Sequence, residues 1–433
     1  MRAEPRPTPA EALAADRIDL RYKGLAPTVA AETVADLARQ VPRLTDAGFS
    51  FPLLTMQRSA VEHNIAALAG YCRDHGVQLA PHGKSSMSPE LHQLQLAAGA
   101  WALTAATAHQ VAVYRSFGVP RILLANELAD DAAVAWLAAE LAADPDFEFW
   151  CFADSLAGVE LLASAARGRC GAGRIGVLVE IGYPGGRAGC RTTGDALAVA
   201  RAVAGAEPLR LAGVAGYEGL LGRDFTPDTA AAVTGYLRLV REAAAAVLDA
   251  GYHRAGTEFV VSCGGSAFFD LVTAELAAPW PGHREVTVVL RCGSYVSHDD
   301  GMYEHSSPFA RDPALGGPLR PALHLWAHVL SVPDPGRAII GAGRRDLPYD
   351  VGLPRPKLAW RRRAAAPEPL AGSATAKLND HHAYLDLAPA DHLAVGDLVG
   401  FGISHPCSAF DRWRLIPVVD DDWRVTGGAH TYF

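Results

Sequence analysis

Eight short apolar runs, separated by stretches with helical spacing, constrain this chain more than any other feature. The runs are VQLAPHG (77–83), WALTAAT (101–107), RILLANE (121–127), FEFWCFA (147–153), RIGVLVEIG (174–182), LRLAGVAGYEG (209–219), EFVVSCGG (258–265) and EVTVVLRCG (285–293). Connectors such as SPELHQLQLAAGA carry Ser, Thr or Asp near their starts and glycine near their ends, as helix caps require. Continuous rather than alternating apolar runs fit parallel strands buried on both faces. Eight strand–helix units over about 220 residues predict an α/β fold, a closed (β/α)8 barrel of the TIM type. An open doubly wound sheet is the competitor. It would favour a glycine-rich first turn, and no GxGxxG follows the first strand.

After residue 320 the texture changes. Helical connectors vanish, Pro, Gly, Asp and His rise, and short alternating runs appear: LHLWAHVLSV, RAIIGAG, AYLDL, DLVGFGI and RLIPVV. These read as antiparallel strands of a second, C-terminal all-β domain. The expected organisation is therefore an N-terminal segment (1–57) partly joining the β-domain, a barrel (58–320) and a β-domain (321–433). PLLTMQ (52–57) reads as a further strand lying before the barrel, and residues 364–374, AAAPEPLAGSA, as a loop.

Composition narrows the partners. The net charge is -8, without the basic excess expected of a nucleic-acid binder, so the expected partner is a small molecule and not a nucleic acid. Seven scattered cysteines with no CxxC pair argue for a reducing compartment over a disulfide framework. The first twenty residues lack the apolar core of a signal peptide, and no uncharged apolar run approaches a membrane span. A cytoplasmic protein that does not engage a membrane is the expectation.

Barrels of this kind gather their chemistry at the C-terminal ends of the strands. The residues following each run are therefore the candidates. The first run, in APHGKSSMSP, ends at Lys84. The run 174–182 is followed by GYPGGRAGCR, with Arg187 and Arg191; the next carries Tyr217 and Glu218 at its end. The last two close on Gly264-Gly265-Ser266, read as opening a helix, and on Gly293-Ser294-Tyr295. Glycine-rich turns at helix starts offer close backbone approach, free N–H donors and the positive end of a dipole, all suited to phosphate. GSY adds two hydroxyls. A lysine at one strand end facing a phosphate cup suggests pyridoxal 5'-phosphate, held as a Schiff base, with the lysine later carrying protons. Without the cup, a surface or ion-paired lysine is the simpler reading. Near the C-terminus, GISHPCSAFDRW places His405 and Cys407 two residues apart. In an extended segment both project to one face, and imidazole plus thiolate suits zinc with positions left open for water or substrate.

PHGK closing the first barrel strand and HPC near the C-terminus together resemble the D-serine dehydratase / D-threonine aldolase family. These are fold-type III pyridoxal-phosphate enzymes built like alanine racemase, and the resemblance spans residues 50–430 or so. It implies that Lys84 carries the cofactor and that Arg187, in the GxxRxG turn YPGGRAG, and Tyr217 contact it. It implies that Gly264, Gly265, Ser266, Gly293, Ser294 and Tyr295 form the phosphate loops. The family's metal pair, His-x-Cys in dehydratases and His-x-Asp in aldolases, falls on His405 and Cys407, with zinc expected and manganese as the alternative. LPYDVGLP, with Asp350, and LNDHHAYL, with His382, resemble segments lining the mouth; His382 would act as a base in an aldolase or position water in a dehydratase. Many members continue HGKTHK, where this chain reads HGKSSMS. The implied activity is a lyase on D-β-hydroxy amino acids, with Cys407 favouring a dehydratase giving a 2-oxo acid and ammonia. A D-threonine aldolase, a racemase or a non-catalytic pyridoxal-phosphate protein are the alternatives. A racemase needs no metal, and carriers of this fold usually lack the β-domain. The resemblance also implies a head-to-tail homodimer.

Overall fold

A strand buried on both faces can satisfy its backbone only by pairing along both edges, and the apolar runs do so with one another. The structure, a computed structural model, describes residues 8–25, 29–46, 48–222, 224–283 and 286–433. Residues 1–7 of the N-terminal segment and Glu285, the first residue of the last apolar run, lie outside the described residues. The first strands in chain order are β1 (Leu53–Gln57), β2 (Gln78–Leu79), β3 (Leu103–Ala105), β4 (Arg121–Glu127) and β5 (Glu148–Ala153). They continue with β6 (Ile175–Ile181), β7 (Leu209–Gly216), β8 (Phe259–Ser262) and β9 (Val286–Leu290).

Strands β2 to β9 form one parallel sheet in the order β2-β9-β8-β7-β6-β5-β4-β3. Its two ends meet beyond the short strands. His82 bridges Thr104 in parallel, the Trp101 amide donates to the Leu79 carbonyl at 2.7 Å, and the Thr104 amide donates to Pro81 at 2.8 Å. The sheet is thereby closed into the α/β barrel of TIM type that the eight runs predict. The helices between strands are capped as their sequences require: Thr107, Asp130, Ser155, Thr192 and Thr226 each accept from amides of the first turn. Inside the barrel, large side chains (Leu123, Trp150, Phe152, Leu178) interleave with alanines 80, 102, 212 and 215. Arg121 covers the Trp101 ring at 4.2 Å, a cation–π contact.

The remaining strands are β10 (Leu323–Asp334), β11 (Arg337–Ile340), β12 (Arg355–Trp360), β13 (Glu368–Pro369) and β14 (Ala374–Leu378). After them come β15 (Ala383–Asp386), β16 (Leu398–Gly402), β17 (Leu415–Val419) and β18 (Val425–His430). Their main sheet runs β13-β12-β16-β10-β1-β17-β18, with β11, β15 and β14 continuing from β10. β1 enters this sheet from before the barrel. It is antiparallel to β10, pairing Leu53 with Trp326, and parallel to β17, pairing Met56 with Val418. The segment 364–374 is not wholly a loop: Glu368 and Pro369 pair with β12 across a hairpin, which an edge position permits even for proline.

The segment between β9 and β10 seals the two sheets together. The Asp300 amide donates to Ile403, Lys357 pairs with Asp300, and Arg355 with Glu304. Asn64, fully buried on the helix Arg58–Asp74, holds the same segment by three bonds. Its Nδ2 donates to Val296 O (3.2 Å) and Arg320 O (2.8 Å), and its Oδ1 accepts from the Arg320 amide (2.7 Å). Among the described residues no helix is long and apolar enough to cross a membrane. Asn64→Ala strands all three backbone groups away from water. Urea denaturation is expected to show a loss of about 2–4 kcal/mol, against a negligible change for the exposed Glu62→Ala.

Candidate active site

The C-terminal rim of the barrel and the β16–β17 connection enclose a cavity of about 300 Å³. Lys84 enters it from the single 3-10 turn Gly83–Ser85 that follows β2. The turn is held down by its neighbours: a Cβ on Gly293 would lie 2.5 Å from Ser85 Oγ and 2.7 Å from His82 O, so only glycine lets the β9 loop press against the Lys84 turn. The lysine side chain is open to solvent through the mouth. The protein packed around its ammonium lowers its pKa; the Cys407 side chain opposes this, and Arg187 and Arg291 add to it. His82 is held far below the ordinary imidazole pKa by burial and by the charges of Lys84 and Arg291, and its Nδ1 has no partner among the described residues.

Arg187 hangs from the β6 loop with its guanidinium 5.6 Å from the Tyr217 ring centre. Arg191, the other arginine of that loop, does not line the cavity. It clasps the loop from outside, donating to the carbonyls of Gly186, Arg187, Ala188 and Gly189. Tyr217 is positioned through its own amide, which donates to the Tyr236 hydroxyl at 2.9 Å, while that hydroxyl donates to Ile181 O at 2.6 Å. Burial and the neighbouring Glu218 raise the Tyr217 pKa, so the phenol stays protonated.

The glycine turns differ from their sequence reading. Gly264, Gly265 and Ser266 line the cavity, but the Gly264 and Gly265 amides are not free: they donate to the two oxygens of Glu218 at 3.0 and 2.6 Å. Nor does GGS open a helix directly, since a turn over 266–268 precedes the helix Phe269–Leu276. Ser266, which lines the cavity, has an amide without an acceptor among the described residues. Gly293 and Ser294 also line the cavity. Tyr295 does not: its ring is buried on the far side of the 3-10 turn Ser294–Val296, where its hydroxyl accepts from Gln95 at 3.0 Å.

His405 and Cys407 meet in the same cavity, by a different route from strand alternation. His405 is extended, but Pro406–Phe410 is a short helix that proline at its first position favours. Cys407 therefore sits in a first helical turn folded back toward His405. Asp350 accepts from His405 Nδ1 at 2.6 Å and from the Ser408 hydroxyl at 3.0 Å. With Nδ1 so held, Nε2 is the nitrogen left for Cys407. The hydrogen bond to Cys407 pushes the His405 pKa up to about 9, against burial and with help from Asp350. Burial works against the Cys407 thiolate, yet hydrogen bonds with His405 and Ser85 bring its pKa below the ordinary thiol value. Ser294 Oγ lies 3.7 Å from the sulfur.

His382 is not brought to this cavity. It is exposed at the turn between β14 and β15, where its carbonyl accepts from the Asn379 amide. Arg291 and Tyr303 are among the cavity residues that escaped the sequence reading. Arg291, 5% exposed, ends β9 and donates to Ser262 Oγ at 2.6 Å and Gly216 O at 2.5 Å, with no carboxylate partner among the described residues. An arginine closing an apolar run was the available signal. Tyr303, from the β9–β10 segment, covers the cavity, and nothing in its local sequence distinguishes it.

In metal-free protein the His405–Cys407 pair should make Cys407 the readily alkylated thiol. The pH dependence of iodoacetamide labelling is expected to have its midpoint below that of an ordinary cysteine. His405→Ala should move it upward, because the foremost group opposing burial is then lost and only the serine hydroxyls remain.

Comparison with known proteins agrees with this architecture. Residues 322–419 match the family model described as a putative serine dehydratase domain. The 3-hydroxy-D-aspartate aldolase of Paracoccus denitrificans (strain Pd 1222) is 26% identical over 318 residues, covering 72% of this chain and 77% of that protein. The crystal structure of D-threonine aldolase from Filomicrobium marinum superimposes with a TM-score of 0.73 at 25% identity, over 88% of this chain and 95% of that one. The D-threo-3-hydroxyaspartate dehydratase from Delftia sp. HT23 shares the fold with a TM-score of 0.69 at 21% identity, over 89% of this chain and 98% of that one. Residues 322–419 thus match a putative serine dehydratase domain, and the chain as a whole is similar in sequence and fold to D-threonine aldolase and 3-hydroxy-D-aspartate aldolase, with the fold shared by alanine-racemase-like proteins.

Proposed function

We propose that the protein is a pyridoxal-phosphate- and divalent-metal-dependent lyase acting on D-β-hydroxy amino acids, and specifically a dehydratase. The observation that carries the reading is the convergence of Lys84 with the His405–Cys407 pair in one cavity. The residues present fit the cofactor. A primary amine stands on one wall, and Ser266, Gly293 and Ser294 offer hydroxyls and amides on another. Arg187 and Arg291 supply positive charge, and Tyr217 supplies a phenol O–H for the ring nitrogen. They also fit a metal. An imidazole with Nδ1 fixed by a carboxylate, beside a thiol of lowered pKa, is the donor arrangement zinc takes, with the remaining positions left to water or substrate.

The aldehyde cofactor, when bound, would supply an electron sink for charge developing at Cα. Lys84 would carry it and, as a free amine, is placed to take the Cα proton; the lowering of its ammonium pKa by burial favours that role. His405 and Cys407 would hold the metal, which would act as a Lewis acid on the β-hydroxyl. Tyr217 keeps its proton and would offer the cofactor a neutral hydrogen-bond donor rather than a charge. Arg187 and Arg291 keep the cavity attractive to a carboxylate. Loss of the β-hydroxyl with the Cα proton leaves an unsaturated amine, which hydrolyses to a 2-oxo acid and ammonium.

The aldolase reading is supported by the names of the relatives. It gives glycine and an aldehyde and needs a base for the hydroxyl proton. Within the described residues of this chain His382 does not line the cavity, so such a base would have to come from a second protomer of a head-to-tail dimer. Products from D-threonine, with added pyridoxal phosphate, separate the readings. Ammonia and 2-oxobutyrate, lost with EDTA and in Cys407→Ala, are expected; glycine and acetaldehyde would replace the dehydratase by an aldolase. Lys84→Ala should abolish the visible absorption of the bound cofactor. Asp350→Asn should weaken metal affinity about 10–100-fold, as measured by competition with a chromophoric chelator.

A further inference from the structure

We infer that Glu218 is a positioning residue of the phosphate cup, shaping it from behind; this rests on the pyridoxal-phosphate reading above. Glu218 is fully buried and does not line the cavity. Its two oxygens accept the Gly264 and Gly265 amides at 3.0 and 2.6 Å, and no Lys, Arg or His forms an ion pair with it among the described residues. A buried carboxylate with only two amides for partners is costly to keep.

What the carboxylate does is visible in the turn. Gly264 has φ +104°, a conformation that disfavours any side chain, and a Cβ there would meet Leu290 Cδ2 at 2.9 Å. A Cβ on Gly265 would lie 3.3 Å from the Tyr217 ring and 3.5 Å from Glu218 Oε1. The two glycines thus thread between β9 and the Tyr217–Glu218 pair. Their carbonyls are engaged as well: Gly264 O accepts the Arg291 amide at 3.0 Å, and Gly265 O the Cys292 thiol at 3.4 Å. With every polar group of the diglycine fixed, the chain turns at Ser266, which brings Ser266, its amide without an acceptor among the described residues, to the cavity wall. The carboxylate consumes two donors and aims the next.

The demand on residue 218 is chemical as well as steric. A carboxylate offers two acceptors and no donor, whereas an amide of the same shape must turn an NH2 toward one of two amide donors. E218Q therefore tests the inference with little change in volume. Wild type and E218Q are titrated with pyridoxal phosphate and, separately, with pyridoxal, which lacks the phosphate, following the visible absorption of the Lys84 adduct. The expected result is a loss of about tenfold or more in affinity for the phosphorylated aldehyde, with pyridoxal affinity unchanged. Equal losses for both aldehydes would reduce Glu218 to general support of the fold and overturn the inference, as would no loss for either. A wild type that binds neither aldehyde, or binds both equally, would sink the cofactor reading and the role of Glu218 with it. If E218Q does not fold, E218D keeps both acceptors on a stem too short to reach both amides. It should show the same selective loss in smaller measure, and an unselective loss overturns the inference equally.

Discussion

Closure of the parallel sheet is the constraint from which the rest follows. Strands buried on both faces have little room for charge along their length, so polar side chains collect where the strands end. Once β2 is joined to β3 through His82 and Thr104, all eight ends face one mouth. Lys84, Arg187, Tyr217 and Ser266 are far apart in sequence, yet each is the first or nearly the first residue free to be polar after its strand. The protein carries a net negative charge, while this mouth concentrates Lys84, Arg187 and Arg291. Low-dielectric walls around such a set focus its field outward and favour the entry of anions.

The fold class was legible in the sequence because the barrel is written redundantly: eight apolar runs, each with a capped helix behind it. The positions at the rim were legible for the same reason, as residues that directly follow the runs. What was hidden depends on how single groups are spent. GGS looks like a row of free amides, and only the structure shows two of them turned to Glu218. GSY looks like two hydroxyls, but the tight turn sends Tyr295 to the opposite side, toward Gln95. His405 and Cys407 were read by strand alternation, whereas Pro406 starts a helix that brings them together by folding back. Two-residue spacing does not distinguish these geometries. His382 shows the converse limit: likeness of a short segment says nothing of where one chain's loop points.

Two carboxylates near the cavity differ in their surroundings. Glu218 has two amides aimed at it. Glu180 on β6 has burial and the Glu127 carboxyl as its neighbours, and both push its pKa up. Glu180 is thereby driven toward the neutral acid. Position behind the rim does not decide the charge of a group there. The donors that the adjacent loop can spare do.

The placement of β1 has a temporal consequence. Leu53–Gln57 is flanked in the finished sheet by β10 and β17, which begin at Leu323 and Leu415. At typical synthesis rates of about 5–20 residues per second, the strand is made tens of seconds before its antiparallel neighbour exists. The whole barrel emerges in that interval and can close by local strand–helix pairing, while an apolar strand already attached to its first helix waits unpaired. The β-domain is thus the last part of the molecule to become whole, although one of its central strands is among the first to be made. The cavity, whose wall at His405 and Cys407 belongs to that later domain, is completed only after the whole barrel has left the ribosome.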